Sequence, residues 1–158
     1  MRAYRIADRR HPIFDGSGAA FVGGRWNSPG RAVIYAAETL ELAMLELLAH
    51  LQLGVIPRTQ VFVEIQIPAR VTIETADPAA VPGWDASDEQ MSRRFGDRWA
   101  DERRSAMLRV PSVLTWQTHP TGWNLLINPA HPDAAALKVS NPRAVNWDAR
   151  LFGRPGGE

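Results

Sequence analysis

Alternation and helical spacing divide the chain into a run of short strands around two amphipathic segments. Positions 32–37 form a short apolar run, with Tyr35 inside it, and predict a buried strand. Thr39 then stands as an N-cap, with Glu41 in the first turn where the helix dipole favours negative charge. Leu40, Ala43, Met44, Leu47, Leu48 and Leu51 recur on one helical face, and Leu42, Leu45 and Ala49 carry the apolar character almost all round, which predicts a buried helix ended by Gly54 and Pro57. Positions 60–67 alternate Val61, Val63, Ile65 and Ile67 against Gln60, Phe62, Glu64 and Gln66, a half-buried strand. A connecting stretch with a strand at 71–74 leads to a second helical pattern over 87–104, with Ser87 as its N-cap and Met91, Phe95 and Trp99 on one face. Beyond it, Val110-Pro111-Ser112-Val113-Leu114-Thr115-Trp116 predicts a strand with Ser112 near its start. Positions 123–128 predict another, stopped by Pro129, and 137–140 and 144–147 predict two more. Leu151-Phe152 adds a short last contact, and 153–158 reads as a frayed tail. At the other end, 3–6 predicts a short edge strand, and Pro12, Asp15, Gly16 and Gly18 predict a loop that delivers the chain to Gly23-Gly24.

Length and composition add bounds. The 158 residues suit one domain. Eighteen Lys plus Arg against seventeen Asp plus Glu leave a formal charge of +1, without the basic field that drives nucleic-acid binding. Lys138 is the only lysine. The arginine bias suits forked recognition of carboxylate or phosphate, and a GC-rich genome produces the same bias. The absence of cysteine excludes disulfides, thiolate metal sites and thiol nucleophiles. With no apolar leader and no run near the roughly twenty apolar residues of a membrane span, the expectation is a soluble cytoplasmic protein without a membrane partner.

The polar residues that depart from these patterns are the candidates for chemistry. Gly23-Gly24 can present Arg25 from a turn closed to other residues, although a plain hairpin turn explains the same sequence. On a wheel of about 100° per residue, Glu46 and His50 point well away from Glu41 and Gln52. They therefore face a cleft or a polar network, where Glu46 needs a partner such as Arg25; an ordinary surface pair is the alternative. Along 87–104, Asp97, Asp101 and Glu102 interleave with Arg93, Arg94, Arg98, Arg103 and Arg104, the pattern of a solvated, self-paired face. His119 and His131 lack metal-ligand spacing, no phosphate loop is present, and Ser112 has no nucleophile-elbow context. What remains is arginine, tyrosine, glutamate and serine. That set suits a ligand with a phosphate, an aromatic ring and a bond whose cleavage develops positive charge.

Gly24-Arg25-Trp26-Asn27-Ser28-Pro29-Gly30, Tyr35, the Glu46 helix, Val110-Pro111-Ser112 and Asn128-Pro129-Ala130-His131-Pro132 together resemble the RES domain, the toxin of RES-Xre type II toxin-antitoxin pairs. The resemblance runs from Arg5 to about Trp147 and implies a catalytic domain over 1–152. It implies a compact α/β (α+β) fold similar to ADP-ribosyltransferases, with split or barrel-like central sheets and flanking helices. It also implies a toxin that consumes NAD+ as its substrate, by hydrolysis, phosphorolysis or ADP-ribosyl transfer, with no metal or further cofactor. Arg25, Tyr35, Glu46 and Ser112 are the implied catalytic positions, and Arg5, Arg31, Trp26, His50 and Asn128 the implied substrate-binding ones. The implied partner is an Xre-type helix-turn-helix antitoxin, with homo-oligomers of the toxin inside the complex and no direct DNA contact by the toxin. A non-catalytic binding module, or a metal-free ribonuclease using His50, Glu46 and Arg25, are the competing readings.

Overall fold

The computed structural model describes residues 1–51 and 56–152. Its centre is one eight-stranded sheet built from β1 (Arg2–Asp8), β2 (Ile34–Ala37), β3 (Gln60–Gln66), β4 (Ile73–Thr75), β5 (Met107–Pro111), β6 (Trp123–Ile127), β7 (Lys138–Val139) and β8 (Arg143–Ala144). The order is β4-β5-β6-β2-β1-β3-β7, with β8 also on β3. Every pairing is antiparallel except β4 with β5. Of the two arrangements expected for the sheet, the barrel-like one is present, as a curled half-barrel. Among the described residues three α-helices flank it: α1 (Ser17–Val22), α2 (Leu40–His50) and α3 (Gln90–Glu102).

Period-two alternation assigns the sheet's faces. Ala3, Ile34, Ala36, Val63, Ile65, Met107, Leu125 and Ile127 fill one face, closed by Ile13, Phe14 and the short 3-10 helix Pro132–Ala136. Leu108, Val110 and Leu126 point to the other face, where Trp26, Trp84 and the fully buried Trp99 of α3 pack on them. Leu42 and Ala43 of α2 lie on Ala37, Tyr4 and Ile6. Of the candidate residues, Arg25, Tyr35, Glu46 and His50 gather on the side of this second face, between α2 and the loop that precedes β2.

Several expectations change. β1 is not an edge strand: it pairs β3 along its whole length and β2 at Tyr4. The predicted loop contains α1, only six residues long, with a glycine inside it and no side-chain cap, so no periodicity could develop. α2 has its Thr39 cap, Thr39 Oγ1 accepting from Leu42 N at 3.1 Å, but only Leu42 and Ala43 are buried and Leu45 is 42% exposed. Its apolar surplus therefore lines a cleft and meets solvent instead of a core. Gly54 and Gln52 lie outside the described residues, as does the 153–158 tail.

α3 begins after Glu89 rather than Ser87, because Glu89 takes a left-handed conformation (φ 56°) that a continuing helix excludes. Ser112 follows β5 instead of starting a strand: Pro111 is the last residue paired, opposite Trp123, and the chain turns at 113–118. The strand expected at 144–147 is the two-residue β8, and Leu151-Phe152 belongs to the 3-10 helix Ala149–Phe152, with Phe152 edge-on to Trp147. Among the described residues no helix is long and apolar enough to cross a membrane.

Candidate active site

The loop between α1 and β2 is built around Asn27. Its buried amide donates to the carbonyls of Ala19, Ser28 and Arg31, and its Oδ1 accepts from the Tyr35 hydroxyl at 2.7 Å. The same hydroxyl accepts from Trp26 N at 3.1 Å, so Tyr35 ties β2 to the backbone just beyond Arg25. Gly24 makes this possible, since a Cβ there would stand 2.5 Å from the Tyr35 oxygen. Burial pushes the Tyr35 phenol well above the ordinary tyrosine range, so it stays protonated and able to donate to Asn27. Tyr35→Phe leaves Asn27 Oδ1 and Trp26 N unpaired in the interior, and a loss of about 1–3 kcal/mol is expected in denaturant unfolding.

α3 clasps the loop from outside. Asp97 accepts from Ser28 N (2.8 Å) and Ser28 Oγ (2.6 Å), while Arg31 forks Asp101 at 2.9 and 2.7 Å. The acids of α3 thus serve the loop, and the expected self-paired face is present only in part, in the Arg93–Glu89 and Arg104–Glu102 pairs. Arg25 Nη1 donates to the carbonyls of Trp84 and Ala86 at 3.3 and 3.0 Å, and its Nη2 lies 3.5 Å from Glu89 Oε1.

Glu46 projects from α2 toward the end of β5. Its Oε1 accepts from Ser112 Oγ at 2.7 Å and Asn124 Nδ2 at 2.6 Å. Oε2 takes no hydrogen bond from the described residues. One carboxylate oxygen is therefore locked from two directions. The partner expected for Glu46, Arg25, is not the one it has. His50 meets Glu46 through the backbone, Nδ1–H donating to the Glu46 carbonyl at 2.7 Å.

A cleft of about 450 Å³ joins these parts, within the size range of small-molecule sites. Arg5, Arg25, Trp26, Tyr35, Glu46 and His50 line it, together with Glu89 and Asn124. Arg5 is held by the carbonyls of Ile13 (2.5 Å) and Tyr35 (2.8 Å), and burial pulls its guanidinium below the usual arginine range. Ser112 is fully buried behind Glu46 and is absent from the cleft wall. Arg31 and Asn128 do not line the cleft. Asn128, 2% exposed, donates to the Ala100 carbonyl and accepts from Ala130 N, pinning the end of α3 to the turn after β6.

Asn124 was not singled out from the sequence. It sits in an apolar strand, and its only signal was a polar residue at an inward-facing position. Among the described residues no three His, Asp or Glu side chains converge as a metal site requires.

The RES domain family model matches residues 2–148. Over 141 residues the chain is 44% identical to the Prs ADP-ribosylating toxin of Sphingobium sp. (strain YBL2), covering 87% of this chain and 85% of that protein. It is 37% identical over 139 residues to Toxin Res of Pseudomonas putida, covering 87% and 91%. It is 35% identical to Toxin Res of Yersinia enterocolitica, covering 96% and 99%. Among solved structures, the crystal structure of the M. tuberculosis MbcT-MbcA toxin-antitoxin complex contains a chain with the same fold. The TM-score is 0.65 at 18% identity, over 91% of this chain and 83% of that one.

Proposed function

The chain belongs to the RES domain family, and from that premise we propose that it is a toxin that breaks the bond between nicotinamide and ribose in NAD+. The observation that carries the proposal is Glu46, held through one oxygen by Ser112 and Asn124 on the wall of a cleft that also holds Arg25.

In this reading Arg25, aided by Arg5, holds the diphosphate, and Tyr35 packs against the nicotinamide end. As the C1′–N1 bond breaks, its electron pair goes to the ring nitrogen and nicotinamide leaves neutral. The ribose becomes an oxocarbenium ion. The Glu46 carboxylate stabilises that cation electrostatically, already oriented before the charge develops. Capture of C1′ by water, phosphate or a protein nucleophile completes the reaction; the relative named an ADP-ribosylating toxin supports the third.

Ser112 acts through Glu46 as a positioning residue, and Asn124 shares that task. Ser112→Ala and Asn124→Ala each remove one charge-assisted hydrogen bond, so turnover is expected to fall about 10- to 100-fold with NAD+ affinity little changed. Steady-state kinetics checks this by separating kcat from KM.

An Xre-type antitoxin that covers the cleft is the proposed partner, a reading supported by the toxin-antitoxin complex in which the solved neighbour was found. One paired assay tests the function. The protein is incubated with NAD+ and separately with labelled RNA, and free nicotinamide and RNA length are followed. Nicotinamide release with intact RNA is expected; RNA cleavage with intact NAD+ contradicts the proposal.

A further inference from the structure

We propose that Glu89 is a built-in competitor for the substrate's phosphates, held between Arg25 and Arg93 so that the two arginines form one anion site for a diphosphate. The inference rests on the phosphate-binding role given to Arg25 above and adds to it a second arginine and a resident carboxylate.

The geometry is that of a three-member ion cluster, of which Arg25 and Glu89 line the cleft and Arg93 holds Glu89 from α3. Glu89 Oε2 accepts from Arg93 Nη2 at 2.7 Å, and Glu89 Oε1 lies 3.5 Å from Arg25 Nη2. Both guanidinium groups are oriented independently of Glu89. Arg93 donates through Nε to the Gly24 carbonyl at 2.8 Å, one residue before Arg25, and Arg25 is held by the Trp84 and Ala86 carbonyls. Their Nη2 groups therefore converge on one place, and the carboxylate occupies it. The Glu89 and Arg25 side chains are 26% and 22% exposed, so the site is neither sealed nor fully screened by water.

Two arginines around one carboxylate leave a net positive charge of one. A diphosphate carries more negative charge than Glu89 and offers more acceptor oxygens to two forked donors, so it displaces the carboxylate where a monoanion does not. Glu89 thus sets a charge threshold: it keeps the arginines paired in the empty protein and disfavours weakly charged ligands.

Inorganic pyrophosphate is the probe, measured by calorimetry on the full chain, so that binding is read without turnover. Glu89→Gln keeps the side chain's shape and removes its charge; about tenfold tighter pyrophosphate binding than the parent is expected. Arg93→Gln should bind about tenfold more weakly, with circular dichroism melts confirming that both variants are folded. Pyrophosphate affinity unchanged or weakened in Glu89→Gln overturns the competitor role, and unchanged affinity in Arg93→Gln overturns the two-arginine site. Failure of NAD+ cleavage in the parent would contradict the proposed function while leaving the pyrophosphate result to stand or fall separately.

Discussion

Glu46→Ala is expected to abolish nicotinamide release while leaving a folded protein. Among the described residues Glu46 is the one cleft carboxylate with one oxygen fixed by two donors and the other without a hydrogen bond, the arrangement the proposed charge stabilisation needs. Removing one preorganised electrostatic group of this kind costs about 10²–10³ in turnover in well-studied enzymes. The loss here is expected to be at the upper end or beyond, because alanine also leaves the buried Ser112 hydroxyl and the Asn124 amide without their acceptor. Stability should change less than activity, since Glu46 is only partly buried, on the wall of the cleft and not in the core. Nicotinamide release at saturating NAD+, with a thermal melt of the same sample, separates the two effects.

The second large effect is structural. Gly96→Ala is expected to destabilise the protein by about 3 kcal/mol, at the upper end of overpacking costs, and to lower its melting temperature by about 6–12 °C. A Cβ at position 96 would lie 1.8 Å from the Trp26 carbonyl oxygen and 2.8 Å from its carbon, and both are backbone atoms with no rotamer to yield. Alanine is the better helix former by about 1 kcal/mol, so the sign of the change decides whether the close approach or the propensity dominates. To relieve the overlap α3 must move off the loop, and with it go the Asp97–Ser28 and Arg93–Gly24 bonds. Activity should therefore fall even at temperatures where the variant is folded. A variant as stable and active as the parent would mean that α3 does not close on the Trp26 loop.

The sequence disclosed the parts of this site better than their connections. Strands β2, β3 and β6 and helix α2 are legible because each carries a local signal, an apolar run, a period of two, a proline stop or a cap, and the helical wheel turns Glu46 toward the cleft it lines. What the carboxylate bonds to was not legible. The pairing of β5 with β6 brings Ser112 and Asn124 together across 66 and 78 residues of sequence from Glu46, and no local pattern encodes that register. The residues after Pro111 carry the pattern of a strand, but the chain turns there, which brings Ser112 behind the carboxylate. The burial of α2 was overstated for a related reason. An apolar helix signals surface to be covered, and here part of that surface lines the cleft or meets solvent. The interleaved charges of α3 were read as solvated because their partners, Ser28 and Arg31, lie some 70 positions away.

In the proposed reaction the second oxygen of Glu46, unbonded by the described residues, stabilises the cation formed as nicotinamide leaves. The direct measurement compares the parent with Glu46→Gln, which preserves the shape of the side chain and an acceptor for Ser112 and Asn124 but carries no charge. NAD+ affinity and the rate of nicotinamide release are determined on the same preparations. Near-parent affinity is expected, with release reduced at least about 100-fold. Release at the parent rate from Glu46→Gln would show that the Glu46 charge does not stabilise the cation.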